Sequence, residues 1–364
     1  MKIITSESVN VGHPDKTCDV IADCFLDEAL KQDPNSQMAV ECAIKNNKLF
    51  VYGEATTKAN MDYDFIAKKV LNYVGYDVTK FEIIKEISMQ SPDINSAVVK
   101  EEVTANDQGI IYGYACNETS EFMPLPIMVA HKLMLKYEEF RLKDGRFFAD
   151  AKSQVSVQYE NDEPTKIHTV LLSVSHKNSL NLDDLRNIVL QNVVKPVLAE
   201  YEQFVLEEPQ ILINAGGKFT VWGSYSDSGC VGRKIVVDTY GGVGKVGGGC
   251  FSSKNSTKVD RSAAYYLRYV AKNIVANNLA KKVEIQISYG FGLKDPISLN
   301  INTFGTEVVS KQKLYEIVYN NFNFTPQNII LELGLNNPIY AKTACYGHFG
   351  RNFAWEKVKK LNIN

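Results

Sequence analysis

The sequence predicts an α+β protein of three similar units in a pseudo-threefold arrangement, each a mixed or antiparallel sheet with helices on one face. Three observations lead there. A layout of helix, hairpin, helix and strand recurs three times along the 364 residues. The apolar residues of the leading segments return at helical spacing, while the paired runs of strand-forming residues flank turn signals. The length itself favours two or three domains over one. A sheet with helices on one side leaves its other side to be covered, and a second subunit could supply that cover.

The first repeat opens with a helix over residues 15–32, with Val20, Ile21, Phe25, Leu26, Ala29 and Leu30 on one face. A hairpin follows, 38–44 and 49–57, around the turn residues Asn46-Asn47. A helix over 62–74 and a strand over 81–89 complete it. The second repeat reads helix 121–137, hairpin 153–159 with 166–175 around residues 161–164, helix 182–199 and strand 210–214. The third reads helix 260–280, strands 283–289 and 297–302, helix 310–321 and strand 328–333. Domains are accordingly expected at 1–101, 102–221 and 222–364, with strands open to exchange between them.

The composition is ordinary for a globular protein, 45% hydrophobic and 23% charged. A formal net charge of −2 argues against a general binder of nucleic acid or membrane surface. Any anion site is therefore local. Seven cysteines, odd in number and without a C-x-x-C pair, indicate neither a disulfide framework nor a zinc site. Reduced thiols in a cytoplasmic protein are the expectation. No leader-like apolar stretch opens the chain, and no run approaches the ~18 apolar residues of a membrane span.

Four segments carry chemistry. Gly12-His13-Pro14-Asp15-Lys16 precedes the first helix, where phosphate and a metal ion can be met together. The plainer alternative is that Asp15 caps that helix. Asp150 and Lys152 lie two apart before a strand, on one side of it, and a surface salt bridge is the plain alternative. The stretch from Gln90 to Gly109 is rich in Ser, Asn and Asp and reads as a long loop, either a lid or a plain connection.

The densest segment runs from Asp227 to Arg261. It includes a strand-like run from Ile235 to Tyr240 and six glycines from Gly241 to Gly249. Glycine concentrates where a backbone bends sharply or approaches a ligand closely. Interleaved Lys and Arg imply an anion held by N–H groups and point charges together. Gly242-Val-Gly244-Lys-Val-Gly247 matches a dinucleotide fingerprint, but its context lacks the helix that must begin within the motif. Lys254, Lys258 and Asp260 matter most here. A metal-bound polyphosphate would use all three, Asp for Mg²⁺ and Lys for oxygens. The alternative is that Asp260 caps the following helix.

Taken together, these strings resemble the S-adenosylmethionine synthetases. They are Thr5 to Val9 with Gly12 to Lys16, Gly53 to Thr57, Gln90 to Asn95, Asp107 to Gly109, Asp150 to Val155, Gly232 to Gly242, Lys258 to Tyr265, Tyr346 to Arg351, and Trp355-Glu356. They span nearly the whole chain in family order. The resemblance implies three similar domains and a homodimer or dimer of dimers with active sites between subunits. It implies synthesis of S-adenosyl-L-methionine from ATP and L-methionine. The methionine sulfur attacks C5′ of ATP and displaces tripolyphosphate, which is then hydrolysed to diphosphate and phosphate.

Residue by residue, the resemblance puts His13 near the leaving oxygen, and Lys152, Arg233, Lys234 and Lys254 on the triphosphate. Asp150, Lys218, Phe219, Asp227 and Cys250 fall among the ATP contacts, Phe219 stacking on adenine. Glu54, Gln90, Asp227 and Lys258 fall on methionine. Asp15 and Asp260 match ligands of two Mg²⁺ ions, and Glu41 the ligand of one K⁺. The segment from Gln90 to about Lys100 matches a gate. Four positions depart from the family's common pattern. Ser253 replaces a glycine, Asn255 removes a negative charge, Lys218 stands for a frequent arginine, and Phe291 for a smaller aliphatic residue.

Overall fold

In a computed structural model, which describes residues 1–89 and 103–363, eleven strands form three sheets. The strands are β1 (Lys2–Val9), β2 (Gln37–Lys45), β3 (Lys48–Thr56), β4 (Glu82–Ser88), β5 (Gly109–Cys116), β6 (Phe147–Glu160), β7 (Glu163–His176), β8 (Gln210–Ile213), β9 (Gly229–Cys230), β10 (Lys282–Tyr289) and β11 (Ser298–Asn302). The sheet orders are β4-β3-β2-β9, β1-β6-β7-β8 and β11-β10-β5. Each is built on one antiparallel hairpin. In the first two, a third strand joins in parallel, β4 on β3 and β8 on β7.

Every sheet is finished by a strand from another part of the chain. The N-terminal β1 pairs with β6, β5 pairs with β10, and β9 pairs with β2. Each of the three long helices packs on its own hairpin and on the borrowed strand. Pro14–Gln32 lies on β2 and β9, Leu125–Arg141 on β6 and β1, and Val259–Ala276 on β10 and β5. Apolar faces set this: Ile21, Phe25, Leu26 and Ala29 of the first helix are all buried. The first and third units share one continuous core, and the central sheet has its own, with Tyr346 packed against both.

Two expected strands are helical. Residues 328–333 belong to the helix Pro326–Leu333. Thr325 caps it, proline sits in its first turn, and Gly334 ends it at φ 64° in the left-handed region. These local signals outweigh the β-branched Ile329-Ile330. The run at 235–240 is the short helix Ile235–Asp238, whose Val237 is buried while Val236 is exposed. It finds no strand partner, and Asp238 is gripped from below by Lys16. The fingerprint at 242–247 therefore follows a helix, which removes the last element of a dinucleotide site. The expected helix at 182–199 is interrupted by a π turn over Leu190–Val194.

Strands β1 and β5 were not expected. The inward positions of β1 include Ser6 and Ser8, so the apolar alternation is missing. Their hydroxyls bond the Gly241 carbonyl at 2.7 Å and the His131 ring at 2.8 Å. In β5, Gly113 sits where a Cβ would come within 2.4 Å of the Leu267 backbone. Only a glycine lets the helix Val259–Ala276 press so closely on the strand.

The first helix is tied to the rest by aspartates. Asp15, Asp19, Asp23 and Asp27 recur at every fourth residue and are all buried. Asp15 accepts the Cys230 amide (3.0 Å), Asp19 that of Gly232 (2.9 Å), Asp23 that of Ser253 (3.1 Å), and Asp27 those of Tyr340 and Ala341 (2.8 and 2.9 Å). Burial raises the pKa values of Asp19 and Asp27. Asp23 also takes both arms of Arg261 at 2.7 Å, with the guanidinium stacked on Tyr340. Breaking a buried pair of this kind strands a charge, at a cost of about 3–5 kcal/mol. Asp23→Ala is therefore expected to lower stability by about that amount in urea unfolding. An unchanged midpoint would contradict this bonding scheme.

Candidate functional site

The site is assembled at the N-terminus of the helix Pro14–Gln32. The segment before it runs along the start of β6, with the Asn10 amide on the Ala151 carbonyl and the Gly12 amide on that of Ala149. A Cβ on Gly12 would lie 2.4 Å from the Ala149 carbonyl carbon, so a glycine is required. From the opposite side Gly229 presses on Pro14, where a Cβ would meet its backbone at 2.2 Å. Two close approaches thus bring three segments together around His13 and Asp15.

His13, not Asp15, caps the helix. Its Nδ1 accepts the Asp15 amide at 3.2 Å. That bond leaves the ring proton on Nε2. Burial lowers the pKa of His13 to about 3, with Lys234 and Lys152 adding to the effect. The ring is neutral at physiological pH and presents a donor. The Asp15 carboxylate lies 3.1 Å from the Lys234 ammonium and 3.5 Å from the Arg233 guanidinium. Asp150 is raised to about 6 by burial, although one of its oxygens accepts the Gly223 amide at 2.8 Å. Lys152 and Asp227 act on both Asp150 and His13. His13, Asp15, Asp150, Lys152, Asp227, Arg233 and Lys234 therefore form one group.

A second group adjoins it. Lys254 and Asp260 pair at 2.5 Å. Gly248 and Gly249 pass directly over them, where a Cβ would lie 2.9 Å from Asp260 and 2.6 Å from the Lys254 ammonium. Asp260 stands in the first turn of the helix Val259–Ala276 and is not its cap, a position held by Lys258. Burial and Lys254 lower the pKa of Lys258, while Glu54, Asp107 and Asp260 oppose them. Lys254 bridges to Ala39, whose other neighbour across the sheet is Glu54. Glu41 receives a long contact of 3.4 Å from the Tyr52 hydroxyl. Cys250, pushed up to about 11 by burial, lies against Gly232 and feels both Lys254 and Glu41, joining the two groups.

Lys16 has no part in the anion surface. It is fully buried between Asp19 and Asp238. Phe219 is held by His176, which accepts its amide at 3.2 Å and donates its own amide to the Phe219 carbonyl at 2.9 Å. Lys218 turns to Asn178 at 2.9 Å. Described contacts link neither residue to the His13 group. Gln90, and the expected gate from Gln90 to about Lys100, lie outside the described residues. Asp107 was missed as a site residue. In the sequence it is marked only as part of the Asp107–Gly109 string, with no role attached. Among the described residues no three His, Cys, Asp or Glu side chains converge on one metal position.

The fold and site are those of a three-unit α+β protein with two adjoining groups of cations and carboxylates beside a neutral, buried histidine. Comparison with known proteins narrows the class. The chain matches the N-terminal, central and C-terminal domain models of S-adenosylmethionine synthetase over residues 1–107, 102–219 and 221–357. It is 43% identical to the S-adenosylmethionine synthase of Mycoplasmopsis synoviae, over 99% of this chain and 96% of that one. It is 44% identical to the S-adenosylmethionine synthase of Mesoplasma florum, over 99% and 98%. The chain belongs to the S-adenosylmethionine synthetase family and is an enzyme of methionine adenosyl transfer.

The departures from the family pattern have structural consequences. Ser253 adopts φ 80°, a left-handed conformation that suits glycine, and its buried hydroxyl has no hydrogen-bond partner among the described residues. Asn255 takes the Met38 amide at 3.2 Å and gives to Thr257 at 3.0 Å, tying the loop to β2. Phe291 is exposed in the turn after β10. A non-glycine residue held at such a φ costs of order 1–3 kcal/mol, offset in part by the greater unfolded freedom of glycine. Ser253→Gly is expected to stabilise the chain by about 1 kcal/mol in denaturant unfolding. A lower stability would show that the serine is not strained.

Proposed function

We propose that the chain joins ATP and L-methionine in one displacement. The methionine sulfur forms a bond to C5′, the C5′–O5′ bond breaks, and its electron pair leaves with the tripolyphosphate. Water then cleaves that chain to diphosphate and phosphate at the same site. The observation that carries this reading is the meeting of Lys152 and Lys234 at the neutral His13, with Arg233 beside Asp15 and Lys254 in the adjoining group. A thioether is a modest nucleophile, so positioning and stabilisation of an anionic leaving group must lower the barrier.

His13 donates from Nε2 to the leaving O5′, its other nitrogen being occupied by the Asp15 amide. Lys152, Arg233, Lys234 and Lys254 hold the triphosphate oxygens, with Lys258 beside them. Asp150, Asp227, Phe219, Lys218 and Cys250 complete the nucleotide site. The carboxylates of Glu54 and Asp227 receive the methionine ammonium, and Gln90 belongs to that pocket. Two Mg²⁺ ions fit Asp15 and Asp260. Mg²⁺ keeps several waters and takes one or two carboxylates, with substrate phosphates supplying the rest, and each of these acids stands among cations. When bound, the ions neutralise charge gathering on the tripolyphosphate. Glu41 is the K⁺ ligand.

The active form is a homodimer or dimer of dimers, with sites between subunits. The open face of the first sheet supports this, since Phe50 and Ile84 are exposed there beside Tyr52 and Glu54. No helix among the described residues is long and apolar enough to cross a membrane. A cytoplasmic enzyme with reduced thiols fits, all seven cysteines being free.

Incubation with ATP, methionine, Mg²⁺ and K⁺ is expected to yield S-adenosylmethionine with diphosphate and phosphate. A folded protein that gives no sulfonium product would overturn the reading. His13→Ala is expected to slow sulfonium formation by about 10²–10³-fold while ATP binding is kept. Unaltered turnover would contradict its role.

A further inference from the structure

Lys16 is the one charged residue of the Gly12–Lys16 segment whose charge is enclosed between two carboxylates of the protein. It is wholly buried, beneath the segment that bears Arg233 and Lys234. Its ammonium bonds Asp19 at 2.8 Å and also Asp238. Burial opposes the charge on Lys16, yet the two carboxylates outweigh burial and raise its pKa. Each carboxylate holds one end of the 232–238 segment. Asp19 accepts the Gly232 amide at 2.9 Å. Asp238 ends the short helix, and its carbonyl accepts the His348 amide at 2.9 Å. Arg233 and Lys234 lie between these two fixed points, with the Asp15 carboxylate as their other tie at 3.5 and 3.1 Å and the Arg233 side chain half exposed.

We infer that Lys16 is a positioning residue: by clamping Asp19 and Asp238 together it sets where Arg233 and Lys234 stand, and so sets the grip on the triphosphate chain. The inference rests on the polyphosphate reading above. Without the ammonium, two buried carboxylates face each other with no cation, and the ends of the segment are driven apart or one carboxylate takes a proton. Either way Arg233 and Lys234 lose their fixed base. A misplacement of about 1 Å can cost on the order of 10²-fold in a reaction that depends on orientation. Methionine is held by other elements, so its binding should be spared.

The test uses the full-length enzyme and inorganic tripolyphosphate as the probe, with calorimetry in the presence of Mg²⁺ and steady-state kinetics beside it. Lys16→Met is compared with Lys16→Met/Asp238→Asn, in which the surplus carboxylate is also removed. The double variant is expected to recover most of the thermal stability lost in the single one. It should still bind tripolyphosphate about tenfold more weakly or worse, with KM for ATP raised and KM for methionine within about twofold. A merely structural lysine would give recovery of binding together with stability. Asp238→Asn alone leaves Lys16 paired with Asp19 and covers the case in which the Lys16 variants do not fold; it is expected to weaken tripolyphosphate binding about threefold. Wild-type affinity in any folded variant overturns the inference, as does failure of all three to fold, which would make the clamp general scaffolding. Absence of S-adenosylmethionine from the wild type would instead overturn the functional reading and leave the comparison of tripolyphosphate affinities intact.

Discussion

Four aspartates on one face of one helix hold this structure around its site. Asp15, Asp19, Asp23 and Asp27 project from Pro14–Gln32 at every fourth residue, the spacing that lines up side chains on a helix. They receive backbone amides from three pieces of the C-terminal unit: Cys230 and Gly232 on one, Ser253 on the next, and Tyr340 on the last. Like charges at this spacing repel, and cations answer three of the four, while two backbone amides hold Asp27. Lys16 serves Asp19, Arg261 serves Asp23, and Arg233 and Lys234 flank Asp15. The cations that answer Asp15 are those proposed to meet the triphosphate. The end of the ladder is thus both a structural tie and the floor of the site.

The exchange of strands explains why the site sits at junctions. Strand β9 leaves the last third of the chain to join the first sheet, and carries Asp227, Arg233 and Lys234 to the helix that bears His13 and Asp15. Strand β1 joins the central sheet and sets His13 beside β6, which contributes Asp150 and Lys152. Strand β5 joins the third sheet and brings Asp107 toward Lys258. No single unit contains all the groups proposed to carry the chemistry. Their meeting depends on close backbone contacts at Gly12 and Gly229, where any side chain would collide.

Much of this was legible in the sequence. The three hairpins and long helices follow from apolar periodicity and turn residues, and the close backbone approaches within residues 227–261 follow from its glycines. What stayed hidden has physical causes. Strand β1 buries Ser6 and Ser8 in place of apolar residues, because a carbonyl and a histidine ring satisfy their hydroxyls. Residues 235–238 and 326–333 carry β-branched side chains, yet local capping and a buried lysine hold them helical. Lys16 looked like a phosphate ligand by its neighbours, and only its enclosure between Asp19 and Asp238 distinguishes it. The aspartate ladder was in plain view as a four-residue period. Its meaning lay in partners more than 200 residues away.

The central claim is that the ladder holds the anion-binding segments in place before any ligand arrives. Amide hydrogen exchange of the ligand-free protein tests it at single residues. The account predicts that the amides of Cys230, Gly232, Ser253 and Tyr340 exchange as slowly as those of the helix Val259–Ala276, because each is held by a buried carboxylate. Rapid exchange at these four positions, with the helix Pro14–Gln32 still protected, would contradict it.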